Sequence, residues 1–280
     1  MAQLQLPTID LVVATVDRVE EVGGLLESLD GQTHRAFRVL LVDQNDDERL
    51  QPVLASHPTL ELSHLKAPRG LSRARNAALA ELRAEIVAFP DDDCVFAPDL
   101  LERVSQRFGA EPSLDGLTGR ADDSPRWKTD AVSLTRDNLW NRAISFTIFL
   151  RGAVVERVGP FDETLGLPNS SGEETEYLIR ALDRGARIDY DPSILVHHPR
   201  KDVDLPALGA REGAGIGYIL RKHRYPVHTV LRMLVRPVGG MVVALAQGDR
   251  VQARFQLETL RGRVRGYRSR APVSSPNNSS

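Results

Sequence analysis

The chain's 280 residues and 31.0 kDa leave room for one large domain, or for one domain with a C-terminal extension. A composition that is 41% hydrophobic and 26% charged excludes general disorder. The single cysteine, Cys94, excludes an intramolecular disulfide framework and a cysteine-based zinc site, and it fits a reducing compartment. The net charge of −2 is unevenly spread: residues 200–270 carry 15 Lys+Arg against 5 Asp+Glu, leaving an acidic body with 21 against 33. Such a division separates a cation- or substrate-handling front from a rear surface that favours anions. A solvated helical face is the plainer explanation of the basic segment.

The opening MAQLQLPTIDLVVATVDR lacks the basic start and long apolar stretch of a signal peptide and reads as a first strand, Ile9–Ala14. Val19–Leu29 places Val22, Leu25, Leu26 and Leu29 at helical spacing. Strands follow at Phe37–Val42, Leu60–Leu65 and Glu85–Phe89, with an Ala/Leu-rich helix over Leu71–Leu82. This rhythm predicts an α/β fold of βαβ units on a largely parallel sheet. Ligands of such a sheet bind beyond the C-terminal ends of its strands. Polar clusters follow three of the apolar runs, at Thr15–Arg18, Asp43–Asp47 and Asp91–Asp93, and so should converge on one sheet edge. Further on, Asp115–Asp130 reads as a loop, Ile144–Leu150 as a strand and Glu174–Arg184 as an amphipathic helix closed by Gly185. Ile194–Val196 reads as the last strand and APVSSPNNSS as a disordered tail.

Three adjacent carboxylates at Asp91–Asp93 repel one another unless a counter-charge is near. Mg²⁺ or Mn²⁺ would resolve the conflict, since alternation along an extended turn puts Asp91 and Asp93 on one side and Asp92 on the other. The bland alternative is a solvated acidic loop. Gly70-Leu71-Ser72-Arg73-Ala74-Arg75-Asn76 opens a helix with two arginines, which suits a phosphate, or is simply a capped helix. Glu173-Glu174-Thr175-Glu176 favours a helix N-terminus electrostatically, which is a sufficient structural reason for it. One of two adjacent carboxylates can also be tuned to act as a general base. His197 and His198 end a strand and are candidates for metal, for phosphate, or for structure alone.

Taken in order, these segments resemble the inverting family 2 glycosyltransferases of GT-A fold, over about Ile9 to Pro199. VVATVDR resembles their opening strand and nucleotide-contacting turn, LLVDQND the second strand with its base-binding acid, and GLSRARNAAL the sugar-nucleotide helix. FPDDDC resembles the Asp-x-Asp motif, RGAVVERVGPFDETLG the acceptor-side segment, SGEETEYLIRAL the segment with the catalytic base, and ILVHHP the late strand whose histidine completes a metal site. The chain departs from the family pattern at Gln44, where many members have a second Asp, and at Glu173-Glu174, where Glu-Asp is usual.

The resemblance implies a metal-dependent hexosyl transfer from a nucleoside-diphosphate sugar of UDP or dTDP type to a glycan or lipid-linked acceptor, in cell-surface polysaccharide or glycolipid synthesis. Mn²⁺ or Mg²⁺ would be held by Asp93 with Asp91, and by His198 or His197. Thr15, Arg18, Asp43 and Gln44 would meet the nucleoside, Asp91 and Asp92 the ribose, donor sugar or diphosphate, and Arg73, Arg75 and Asn76 the diphosphate or donor. Glu174 is the expected base and Glu173 its understudy. A nucleotidyltransferase or a non-catalytic nucleotide-sugar-binding module is the competing function.

The expected organisation is a catalytic domain over residues 1–205, with a nucleotide-sugar half to about 98 and an acceptor half after it. A basic helical extension over 206–270 and a tail over 271–280 complete it. Val230–Leu245 is apolar but punctuated by Arg232, Arg236 and Pro237, and its longest uninterrupted run, Pro237–Gln247 at its most generous, falls short of the ~20 residues that a spanning helix needs. It suits either an anionic membrane surface or packing against protein, including a second subunit of a homodimer. The expected location is cytoplasmic or peripheral on the inner face of the cell membrane, with no nucleic-acid partner.

Overall fold

The computed structural model describes residues 6–121, 127–166, 170–199 and 203–269; the tail expected over 271–280 lies outside them. The chain divides into two units, one of Met1–Phe161 with Glu174–Arg200 and one of Asp162–Glu173 with Lys201–Ser280.

The first unit runs β1 (Ile9–Thr15), α1 (Glu20–Asp30), β2 (Phe37–Asp43), α2 (Gln51–Ala55), β3 (Leu62–Lys66), α3 (Leu71–Leu79), β4 (Ile86–Ala88), β5 (Val95–Phe96) and α4 (Leu100–Ala110). It continues with β6 (Gly116–Arg120), β7 (Val132–Ser133), β8 (Phe149–Arg151), α5 (Gly152–Val158), α6 (Glu173–Asp183, all but its first residue) and β9 (Ile188–His197). Among the described residues the strands form one sheet in the order β3-β2-β1-β4-β8-β6-β9-β5, with β7 paired to β9. β1, β2, β3 and β4 are parallel, and β1, β2 and β4 are apolar runs buried on both faces, as strands inside a parallel sheet are. The other half is mixed: β8 runs antiparallel to both β4 and β6, while β6 and β9 are parallel. Inside this apolar stack Asp10 of β1 faces its register partner Arg38 of β2, whose guanidinium donates to both carboxylate oxygens at 3.0 and 2.9 Å. Both side chains are buried, so each charge depends on the other.

Two expectations need correction. The stretch Asp115–Asp130 is not all loop, because Gly116–Arg120 forms β6. Its glycines mark close approach rather than a turn: a Cβ on Gly119 would lie 2.1 Å from the Ile194 carbonyl oxygen of β9. Ile144–Leu150 is also not one strand, since a 3₁₀ turn at Ser145–Thr147 precedes β8. By contrast Gly185 terminates α6 as expected, with φ +79° and its N–H on the Leu182 carbonyl.

The second unit contains α7 (Leu205–Lys222), α8 (Val227–Ala246) and α9 (Arg250–Arg268). Asp204 and Asp249 cap α7 and α9 by accepting from the N–H groups of Ala207 and Gln252. α7 and α9 meet along a glycine seam. A Cβ on Gly213 or Gly217 of α7 would lie 2.4 or 2.1 Å from the carbonyl oxygens of Thr259 and Arg263, and one on Gly262 or Gly266 of α9 2.5 or 2.0 Å from those of Ala210 and Ala214.

The apolar run in this unit is longer than the sequence pattern suggests. α8 is one unbroken helix of 20 residues through Pro237, with an apolar window of mean hydropathy 1.5. It is therefore long and apolar enough, by length and composition alone, to cross a bilayer. Proline has no N–H for the carbonyl four residues back, that of Met233. Arg263 of α9 supplies the missing donor, its guanidinium bonding to the Met233 oxygen. Burial pulls the Arg263 pKa down to about 10.

Asp162 ties the short segment of this unit to α7. It accepts from Lys222 Nζ at 2.6 Å, from the Tyr218 hydroxyl at 2.8 Å and from Thr164. Burial alone would raise its pKa; these donors overcome that and hold it at about 2. The ionised form is the stabilising one, so its contribution is complete above pH ~4 and fades as the pH falls toward 2. Asp162→Asn is expected to cost on the order of 2 kcal/mol at pH 7 and to flatten the loss of stability between about pH 4 and 2. Urea unfolding at pH 7 and pH 3 checks this, and a variant as acid-labile as the parent would contradict it.

Candidate functional site

Parallel register brings the polar strand ends together. Thr15 pairs with Asp43 across β1 and β2, and Ala14 forms a bridge with Asp91 just past β4. The three clusters thus share one sheet edge.

Asp43 is fully buried at that edge. It accepts from the backbone N–H and side-chain amide of Asn45 at 2.8 and 2.7 Å, from Lys66 Nζ at 2.9 Å and from His64 Nε2 at 3.0 Å. Burial opposes ionisation, but the Lys66, Asn45 and His64 bonds together hold the Asp43 carboxyl below its usual range. Lys66 is the register partner of Asp43 on β3, and His64 lies two residues before it on the same side. The alternation of His64 and Lys66 within a strand was the available signal for both. Gln44 acts as a brace: its Oε1 accepts from the Gly70 N–H at 2.7 Å and its amide donates to the Thr15 carbonyl at 3.3 Å.

The acidic triplet divides as alternation predicts. Asp92 pairs with Arg18 and bonds the Thr15 hydroxyl, although burial raises its pKa. Arg18 also reaches Asp93 at 3.4 Å, and Asp91 and Asp93 form with His198 a group whose ligand atoms all lie within 4.8 Å of one another. His198 Nε2 is 3.0 Å from Asp93 and 3.9 Å from Asp91, and its ring stacks on Phe146 with centroids 4.8 Å apart. Burial raises the Asp91 pKa against the pull of Arg75 and His198. Two hard carboxylates and an imidazole fit Mg²⁺ or Mn²⁺. Donors ~2.2 Å from a common ion lie at most ~4.4 Å apart, a few tenths of an ångström inside the observed spread. His197 does not join the group; it is exposed at the end of β9, in register with Val95.

The helix opened by Gly70, whose φ is +135°, sends its side chains in different directions. Arg73 is exposed. Arg75 is 1% exposed, lies 3.6 Å from Asp91, and faces the rings of Phe161 and Phe89. Asn76 clamps the backbone of Phe161, its amide donating to the carbonyl at 3.1 Å and accepting from the N–H at 2.7 Å. The acceptor-side segment is braced a second time by fully buried Glu176, which pairs with Arg180 at 2.9 Å. Arg180 in turn donates to the carbonyls of Val158 and Pro160.

α6 carries Glu174 into a small cavity lined also by Arg75, Phe89, Ser145, Phe161 and Tyr177. Ser145 donates to Asp91 at 3.2 Å, and Arg75 pairs with the same carboxylate. A carboxylate able to accept a proton therefore shares its cavity with two side chains that grip the proposed metal-side acid. Glu173 opens α6 and belongs to the second unit. Thr15, Arg18, Asp43, Gln44, Arg75, Asp91, Asp92, Asp93, His198 and Glu174 thus line this sheet edge and its cavity. Asn76 is turned to the Phe161 backbone, His197 lies exposed at the end of β9, and Arg73 is exposed on α3.

A sequence profile of Glycosyl transferase family 2 matches residues 10–155. The pre-mycofactocin glycosyltransferase of Mycobacterium tuberculosis is 28% identical over 188 residues, which are 60% of this chain and 38% of the relative. The chain therefore spans well under half of that relative's length. Glycosyltransferase AglE of Haloferax volcanii is 25% identical over 211 residues, covering 70% of this chain and 68% of its own. Among solved structures, the mannosyltransferase PcManGT of Pyrobaculum calidifontis, in complex with GDP-Man and Mn²⁺, superposes with a TM-score of 0.70 at 16% identity. That match covers 94% of this chain and 87% of the other. TarS 1–349 of S. aureus in complex with UDP-GlcNAc gives 0.58 at 17% identity, covering 91% of each chain. At these identities the structural matches establish the fold.

Proposed function

The chain belongs to glycosyl transferase family 2, and from that premise we propose that it moves a sugar from a nucleoside-diphosphate sugar to an acceptor hydroxyl with inversion at the anomeric carbon. The observation that carries this reading is the cavity that Glu174 shares with Arg75 and Ser145, both bound to Asp91. Asp91, Asp93 and His198 are the residues that would hold Mn²⁺ or Mg²⁺. When bound there, such an ion supplies neutralisation of the negative charge on the leaving diphosphate.

Glu174 accepts the proton of the acceptor hydroxyl as its oxygen forms a bond to the anomeric carbon. The bond from that carbon to the diphosphate oxygen breaks in the same displacement, and its electron pair leaves with the nucleoside diphosphate. Attack from the face opposite the leaving group inverts the configuration without a covalent enzyme intermediate. Arg75, buried in the cavity lining, holds Asp91 from 3.6 Å. Asp43, with His64 and Lys66 around it, forms the base end of the donor site, which favours a UDP or dTDP donor. Arg18 sets Asp92 toward the ribose or donor sugar.

On this reading the catalytic domain spans residues 1–205, and the product is a cell-surface polysaccharide or glycolipid made on a glycan or lipid-linked acceptor at the inner membrane face. The test is nucleoside diphosphate release from a panel of UDP-, dTDP- and GDP-sugars, with and without Mn²⁺ or Mg²⁺. Release that needs both a nucleotide sugar and the cation is expected. Pyrophosphate formation from a nucleoside triphosphate and a sugar phosphate would instead favour a nucleotidyltransferase, and no turnover with any donor would favour a binding module.

A further inference from the structure

One feature of the second unit takes no part in the proposed chemistry. Along α8, Val227, Leu231, Val235, Val238, Val242 and Leu245 are all exposed, Val227 by 74% and Val235 by 62%. At 3.6 residues per turn these six fall within an arc of about 80°, a continuous apolar stripe along the whole helix. The residues that α8 buries are Thr229, Val230, Met233, Pro237 and Ala244. They centre about 150° away on the same wheel, and Met233 and Gly240 meet Arg263 and Gln256 of α9. The stripe is thus not the face that packs on α9. Beyond one edge of it come His228, then Arg232 about 60° and Arg236 about 100° further round the helix, both arginines exposed. α8 contains no acidic residue, and residues 200–270 carry an excess of ten positive charges.

We propose that α8 docks in the plane of an anionic bilayer, with the Val227–Leu245 stripe among the acyl chains and Arg232 and Arg236 on the lipid phosphates. Charge selects this occupant. A lipid surface offers apolar chains and phosphates side by side at the depth that such a helix presents them. A second copy would bring the same acid-free, basic surface against itself. Crossing the bilayer is also disfavoured, although the helix has the length. Arg236 sits in its middle third and Arg232 one turn before it, where a spanning helix would put them within hydrocarbon. This inference stands apart from the chemistry at Asp93 and Glu174, because it is read out by binding alone.

The test is flotation of the full chain with vesicles of phosphatidylcholine alone, and of phosphatidylcholine with one quarter phosphatidylglycerol. Binding to the second at low salt, weak binding to the first, and partial loss in high salt are expected. Leu231→Gln/Val235→Gln/Val242→Gln changes exposed positions only and should cut binding at least about tenfold with unchanged thermal unfolding. Arg232→Gln/Arg236→Gln should cut it about tenfold or more and remove most of the salt dependence. The Asp93→Ala variant should float like the parent, so a failure of the catalytic reading would leave this result untouched. Failure of the parent to bind anionic vesicles overturns the proposal, as does binding that survives the triple substitution. A concentration-dependent mass abolished by the triple substitution, without lipid binding, would assign the stripe to a second copy. Protein that resists alkaline carbonate extraction from membranes would overturn the in-plane arrangement in favour of a spanning one.

Discussion

Asp93→Ala is expected to lower nucleoside diphosphate release by at least about 10²–10³-fold, the cost of losing a preorganised charge-stabilising group. Asp93 is central to the acidic turn, with His198 at 3.0 Å and its side chain 1% exposed. Removing it takes a charged donor from the Asp91, Asp93 and His198 group, whose atoms lie within 4.8 Å. Because a buried carboxylate is being deleted, Asp93→Asn serves as the volume-conserving companion. It should retain the parent's unfolding transition yet bind Mn²⁺ more weakly and turn over as slowly as the alanine variant. Mn²⁺ titration followed by electron spin resonance reads the binding, and product release reads the turnover. Near-normal, cation-dependent turnover in a folded Asp93→Asn would remove the metal assignment.

Glu174→Gln should lower turnover by about 10²–10⁴-fold, the usual worth of a positioned general base, while donor affinity stays within about twofold. The separation follows from location, since Glu174 lines the cavity with Phe161 and Tyr177, whereas the proposed nucleoside end is the Asp43 and His64 pair. Glu173→Gln is the contrast, and it should leave turnover much closer to the parent's. Calorimetric titration with the nucleoside diphosphate, alongside initial rates, distinguishes the two effects. If Glu173→Gln is crippled and Glu174→Gln is not, the base has been misassigned. Loss of donor binding in Glu174→Gln would mean that the residue belongs to the donor side.

The parallel half of the sheet was legible because buried parallel strands are written as apolar runs. Ile9–Ala14 and Phe37–Val42 each ended within one residue of the strand observed. Their polar ends gave away the shared edge, and alternation separated Asp92 from Asp91 and Asp93. What escaped was information held by partners distant in sequence. Gly116 and Gly119 signal a turn until the Ile194 backbone is known to press on the strand. Asn76 and Arg75 are one residue apart in a motif that suggests phosphate. Only the tertiary structure shows one clamping Phe161 and the other paired with Asp91. Likewise Pro237 reads as a break in α8, because nothing local announces that Arg263, 26 residues on, will satisfy the carbonyl it orphans.

The glycine seam between α7 and α9 has a consequence at the level of the gene. Every single-base change to a glycine codon is either silent, a stop, or the introduction of a side chain with a Cβ. At Gly213, Gly217, Gly262 and Gly266 that atom would fall 2.0–2.5 Å from a carbonyl oxygen of the facing helix, well inside contact distance. No mild missense step is open at these codons, not even the alanine that elsewhere in a helix would be stabilising by about 0.5–1 kcal/mol. The helical pair therefore has little room to drift by single mutations along its seam. Its exposed faces, α8's stripe among them, carry no such steric bar and can be retuned while the seam holds the unit's frame.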